Sequence, residues 1–225
     1  MGNPTYLSKT LAAASSTGIG TLSSASPGVA TLNTSSFDTQ RRVSIASASG
    51  TLASATFTIT GTRQGTGTVT ESITGPTSNV PVATLSDFLS VTSVSASSVI
   101  NTQAIFGTNT QGSTPWQSVN LDLMLSTIGS ALHFSSTTAG MVASIEITMD
   151  YPFLTSPQVP GGLPASLNAV PIPFIVSTFS SVSSDLWDIV NLSITPITAW
   201  RLLLTSSSTT PGSVNCTTVQ SGIAG

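Results

Sequence analysis

The run at residues 56–74, TFTITGTRQGTGTVTESIT, constrains this chain more than any other stretch. Thr alternates with Phe57 and Ile59 along its first arm; Val69, Glu71 and Ile73 share one face of its second; Gly61, Gly65 and Gly67 punctuate the middle. A two-residue period broken by glycines is the pattern of a β-hairpin with a Gly-containing loop, and a 3.6-residue helical period does not fit it.

The rest of the composition agrees with strands. Charged residues make up 6% of the 225, against about 25% in an ordinary domain. Ser and Thr, about a third of the chain, must therefore supply most of its polar surface. The hydrophobic share of 39% and the alternation of Thr, Val and Ile with polar neighbours point to folded strands joined by Ser/Thr/Gly-rich connections, not to disorder. A net charge of −3 with five basic residues excludes a phosphate-neutralising groove, so no nucleic-acid partner is expected. No run approaches 18 apolar residues, so no membrane-spanning helix is expected either. The N-terminal segment, with Lys9 as its only charge and LAAASS in place of a long apolar run, is not expected to act as an export signal. A weakly charged chain escapes the solubility risk of a free monomer as part of an oligomer or a larger assembly.

Taken in order, residues 1–34 read as an extended N-terminal arm that becomes ordered on a neighbour, with one or two helical turns where Leu7 and Leu11 stand four apart. Residues 35–112 read as a first β-sandwich domain. It holds a short strand through Arg42, Val43, Ser44 and Ile45, the central hairpin, a helical turn through Leu85, Phe88, Val91 and Val94 leading into a strand, and a further strand over 99–106. The QGSTP run at 111–115 marks a boundary. Residues 113–225 read as a second β-sandwich domain. Its clearest strand, 141–151, sends Ile145 and Ile147 one way and Ser144, Glu146, Thr148 and Asp150 toward water. A Pro-rich loop covers 152–173, Trp187 lies in a turn between Asp185 and Asp188, and 197–204 and 213–220 form a closing hairpin. The fold class is thus all-β, an antiparallel β-sandwich of Ig-like or jelly-roll-like type. Protein-interface candidates are Tyr6, Leu7 and Leu11 of the arm, Pro157, Pro160 and Leu163 of the loop, and Trp187.

The residues that carry chemistry are few. His133 is the only histidine, in a context, ALHFSS, that reads as strand or turn; a serine triad needs a histidine oriented by a third group. Cys216 cannot form an intramolecular disulfide and reads as a small buried hydrophobe. Glu146 and Asp150 share a strand face but stand roughly 13 Å apart at about 3.3 Å per residue, too far for a glycosidase pair. The Gly61–Gly67 segment lacks the Lys-Ser/Thr ending of a phosphate loop, and no calcium-loop spacing of acids is present. No catalytic, cofactor-binding or metal residues are expected, and no cofactor. Arg63 at the hairpin tip reads as solvated. Arg201, inside ITAWRLLL, requires an acid or carbonyl partner. Trp116, Trp187 and Trp200 read as core or subunit-interface residues.

Three stretches, GVATLNTSSFDTQRRVSIAS, TFTITGTRQGTGTVTESITGP and DFLSVTSVSAS, together with the ending ITPITAWRLLLTSSSTTPGSVNCTTVQSG, resemble the β-sandwich structural proteins of tailed bacteriophages, and cover about half the chain. RQGTG stands where the family pattern has an Asp- and Asn-bearing turn, and the 152–173 loop is this chain's own. The resemblance implies a non-enzymatic virion protein, assembled in the bacterial host cytoplasm. Within that class it favours a capsid decoration or cement protein that stabilises the head by protein–protein contacts, with a tail or head–tail component (collar, adaptor or fibre anchor) as the alternative. The expected partners are further copies of itself and the major capsid protein or tail proteins of the same virion. In this reading, deletion of 1–34 weakens assembly and leaves the β-core folded. A carbohydrate-binding adhesin module, with Trp116 or Trp187 exposed for stacking, is the competing class.

Overall fold

The computed structural model describes residues 4–24, 28–33, 36–63, 67–118, 128–136, 141–148, 174–180, 186–192, 199–206 and 211–220. Among them every regular element is a strand and no helix occurs. The assigned ladders are antiparallel, consistent with the expected β-sandwich. The chain divides into two compact units, one built on Ala14–Ser113 and the other on Met1–Ala13, Thr114–Pro152 and Pro171–Gly225.

The first of these units holds β2 (Gly20–Leu22), β3 (Thr31–Leu32), β4 (Ser36–Ser47), β5 (Thr56–Arg63), β6 (Gly67–Thr74), β7 (Val82–Ala96) and β8 (Ala104–Ser113). Its sheet runs β8-β4-β7-β5-β6, with β2 on β8 and β3 on β2. The hairpin expected at 56–74 is β5–β6, paired without a break from Thr56↔Thr74 to Arg63↔Gly67. Gly67 closes it at φ +73°, a backbone that residues with a Cβ rarely adopt. Alternation puts Phe57, Ile59 and Val69 inside, where they pack with Val43, Ile45, Phe88, Val91, Val94 and Phe106. The Phe57 and Phe106 rings meet edge to face, centroids 5.7 Å apart.

Strand β7 replaces the helical turn predicted from Leu85, Phe88, Val91 and Val94. Two bulges interrupt its pairing. Thr60 pairs with Ser93 and Gly61 with Val91, so Thr92 is extra, and its hydroxyl donates to the Thr60 carbonyl. Arg42 pairs with Asp87 and Ser44 with Ala83, so two further residues bulge near Thr84–Ser86. The single extra residue at Thr92 shifts the inward phase, so Val91 and Val94, three apart, are both buried; the two-residue insertion leaves the phase unchanged, and Leu85 itself is exposed. Gly61 lies where β7 bends over β5, and a Cβ there would collide with the Ser90 carbonyl and the Phe88 ring. Strand β8 starts later than the predicted strand at 99–106 and runs through Gln111 and Gly112 to Ser113.

The other unit contains β1 (Pro4–Leu11), β9 (Gln117–Ser118), β10 (Ile128–Ser136), β11 (Val142–Thr148), β12 (Phe174–Ser180), β13 (Leu186–Leu192), β14 (Ala199–Thr205) and β15 (Gly212–Gln220). One sheet is ordered β1-β15-β10-β13; the other joins β12, β11 and β14, with β9 on β14. Leu11 from β1 and Val214 and Cys216 from β15 pack with Ala143, Ile145 and Ile147 of β11 and Leu202 and Leu204 of β14, so side chains of both sheets share one core.

Four further expectations change here. The segment 197–220 is not a hairpin: β14 pairs with β11, whereas β15 pairs with β1 and β10 in the other sheet. Trp187 lies within strand β13, in register with His133, instead of in a turn. Residues 4–11 form neither a helical turn nor a free arm; β1 takes eight registered pairs with β15, from Pro4↔Val219 to Leu11↔Gly212. Beyond them, Ile19, Leu22 and Ala30 are buried in the core around β4–β8. Removing 1–34 therefore strips both cores, contrary to the expectation that the β-core survives it.

Candidate functional site

Most charged side chains whose surroundings the structure describes are turned inward. Arg201 on β14 donates from Nε to Glu146 Oε2 on β11 at 2.7 Å, and both side chains are 4% exposed. The register sets this pair, because Glu146 stands directly across from Arg201. The guanidinium lies 4.6 Å from the Trp116 ring centroid, a cation–π contact in a water-poor setting. Thr114 Oγ1 accepts from the Leu202 amide at 2.9 Å and closes the same region. The acid partner expected for Arg201 is thus Glu146. The solvated face expected for the even positions of this strand is not found: Ser144, Glu146 and Thr148 are all buried. Both faces of β11 are covered, and alternation distinguishes faces without saying which of them is wet.

A second cluster lies along β4. Arg41, 1% exposed, bonds Asp38 through Nε at 3.1 Å and the Asn109 carbonyl through Nη1 at 3.2 Å. Arg42 stands 3.6 Å from Asp87, whose other oxygen accepts from the Ser113 hydroxyl at 3.0 Å. Arg63, expected to be solvated at the hairpin tip, is buried on the inward face of β5. Glu71 on β6 accepts the Leu85 and Ser86 amides, one on each carboxylate oxygen, at 2.8 and 2.7 Å. It thereby satisfies two backbone donors that the β7 bulge removes from the ladder.

The outward face of β6-β5-β7 is the opposite of these clusters. In register it reads Thr68–Thr62–Ser90, Thr70–Thr60–Ser93 and Ser72–Thr58–Ser95, and Thr74–Thr56 continues it to Ser97, whose hydroxyl accepts the Thr56 amide. Adjacent strands stand about 4.8 Å apart and alternate residues about 6.7 Å, so the hydroxyls form a regular uncharged array. Neighbours bond to one another: Thr58 to Ser72 at 2.9 Å, Thr60 to Thr70 at 3.3 Å and Thr62 to Ser90 at 2.6 Å. On β6 every one of these hydroxyl residues is exposed. The alternating Thr of 56–74 announced this face, but its extension onto β7 depends on the pairing.

Of the sequence-predicted interface residues, Tyr6, Leu7 and Leu11 lie on β1 and Trp187 on β13, two strands of one four-stranded sheet. Tyr6 is 65% exposed on β1, and Leu7 is half-buried. Leu11 is wholly enclosed by its own chain and is a core residue. Pro157, Pro160 and Leu163, with the whole of 152–173, lie outside the described residues, as does Asp150. Trp116 is buried under Arg201, which removes it as a sugar-stacking platform, and Trp200 is half-buried. Cys216 is a fully buried thiol, as read from the sequence, and desolvation pushes its pKa from 9.0 to about 12. The register sets it opposite Phe134, with His133 opposite Thr217. Among the described residues no helix is long and apolar enough to cross a membrane.

No family model matches this chain, and no curated protein matches it. Among solved structures it is similar to a chain from the structure of infectious bursal disease virus Gx strain, at 11% identity and a TM-score of 0.26, over 99% of this chain and 72% of that one. A likeness that slight carries no functional argument.

Proposed function

We propose that this chain is a non-enzymatic structural component of a virion, and within that class a capsid decoration or cement protein of a tailed bacteriophage. The observation that supports the reading is the disposition of polar groups. Glu146, Asp38, Asp87 and Glu71 are each committed to a basic side chain or a pair of backbone amides between strands, while an uncharged array of hydroxyls is displayed outward. Acids tied up in this way hold strands in register; they are not presented to a substrate. A weakly charged β-scaffold with a broad neutral face suits close repetition of copies on a lattice. The resemblance of 56–76 and of the C-terminal stretch to phage β-sandwich proteins points the same way.

Reconstitution tests the proposal. Heads assembled without this chain are mixed with the purified protein and heated. The decoration role predicts saturable binding to the head lattice and a higher temperature of head disruption. Binding confined to tails moves the chain to the tail, and binding to neither removes the virion reading.

A further inference from the structure

We propose that β6 is a self-pairing edge, through which two copies of this chain join their sheets with β6 antiparallel to its counterpart. The inference rests on the assembly reading and gives it a surface. Strand β6 pairs with β5 and with no other strand among the described residues, so it ends its sheet.

Edges of this kind are normally guarded by Lys, Pro, bulges or outward charges. Strand β6, GTVTESIT, contains no Lys, Arg or Pro, and its register with β5 is unbroken over eight pairs. Its single charge, Glu71, is turned away onto the Leu85 and Ser86 amides. By contrast β1, an edge of the other unit, carries Pro4 and Lys9.

Charge selects the occupant. With Glu71 held on the Leu85 and Ser86 amides, the rest of the edge is uncharged and gives a charged peptide little electrostatic gain, whereas this chain's own β6 matches it. A two-fold axis at Glu71 sets Thr70 opposite Ser72, Thr68 opposite Thr74 and Val69 opposite Ile73 of the second copy. Hydroxyl then meets hydroxyl and apolar meets apolar, repeating the Thr–Ser and Thr–Thr pairs already made between β5 and β6, while the two Glu71 side chains that meet at the axis are each held on the Leu85 and Ser86 amides of their own copy. One strand pair covers much less than the roughly 800 Å² per partner of a stable complex, so the contact is weak between free copies and strong between copies held side by side.

Analytical ultracentrifugation of the purified chain over a wide concentration range tests this, beside the Thr70→Lys/Ser72→Lys double variant. Both positions are exposed, and the variant loses only the Thr60–Thr70 and Thr58–Ser72 hydroxyl bonds, so it is expected to fold with a slightly lowered melting temperature, which is checked in parallel. Wild type is expected to dimerise reversibly. In the variant, facing lysines weaken the dimer by about tenfold or more. Wild-type hydrogen exchange in β6 should slow as the dimer fills, and the variant's should not. A wild type that stays monomeric throughout, or a variant that associates as strongly as wild type, overturns the proposal. Dimerisation through β6 in a chain that binds no heads or tails would uphold this inference while the virion reading falls.

Discussion

Glu146 and Arg201 illustrate what a single residue can and cannot reveal in advance. A charge inside ITAWRLLL must be paired, so the need for an acid or carbonyl partner was legible; that the partner is Glu146 depends on the β11–β14 register, which no local pattern encodes. Glu146→Ala leaves a buried guanidinium without its carboxylate and is expected to cost about 3–5 kcal/mol in urea unfolding. Glu146→Leu combined with Arg201→Met should recover most of that loss, because the pair's desolvation then disappears as well. Cys216 behaves as its sequence context suggested, and its raised pKa has a defined pH consequence. The folded thiol keeps its proton to about pH 12 while the unfolded thiol releases it near 9, so the contribution to stability is complete below pH 9 and is lost as pH rises from 9 toward 12. Cys216→Ala should flatten the part of the alkaline decline that this thiol causes, read by denaturant titrations at stepped pH; an unchanged decline would assign it to other groups.

At the scale of elements, strand identity was readable and strand partnership was not. The 56–74 hairpin followed from alternation and glycine placement because its partners are neighbours in sequence. Strand β1 was misread because its partner, β15, begins some two hundred residues later. Strand β7 was misread for another reason, since the extra residue at Thr92 breaks the period on which the reading depends. Two outcomes follow from these placements. Glu71→Gln gives up the charge-assisted bonds to the Leu85 and Ser86 amides and should lower stability by about 1–3 kcal/mol, with faster hydrogen exchange confined to the Thr84–Ser86 bulge. Leu11→Ala should cost about 2–5 kcal/mol, the range for emptying a fully enclosed leucine site; a negligible cost would return β1 to the status of a loosely held arm.

For the whole molecule, low charge and abundant hydroxyls find a common physical account. Neutral β-faces need polar atoms that hydrogen-bond without repelling identical neighbours, and Thr and Ser supply them while favouring or tolerating strands. Composition alone indicated a weakly charged β-protein suited to assembly; the ordering of its hydroxyls into rows, and the partners of the described acids Asp38, Glu71, Asp87 and Glu146, became visible only with the pairing. The central claim proposed is that the chain is part of a virion, and cryo-electron microscopy of purified particles isolated from cells that produce this chain tests that claim most directly. The account predicts density for its β-units at repeated positions over the head lattice. Particles complete in head and tail that contain no density for this chain would contradict it.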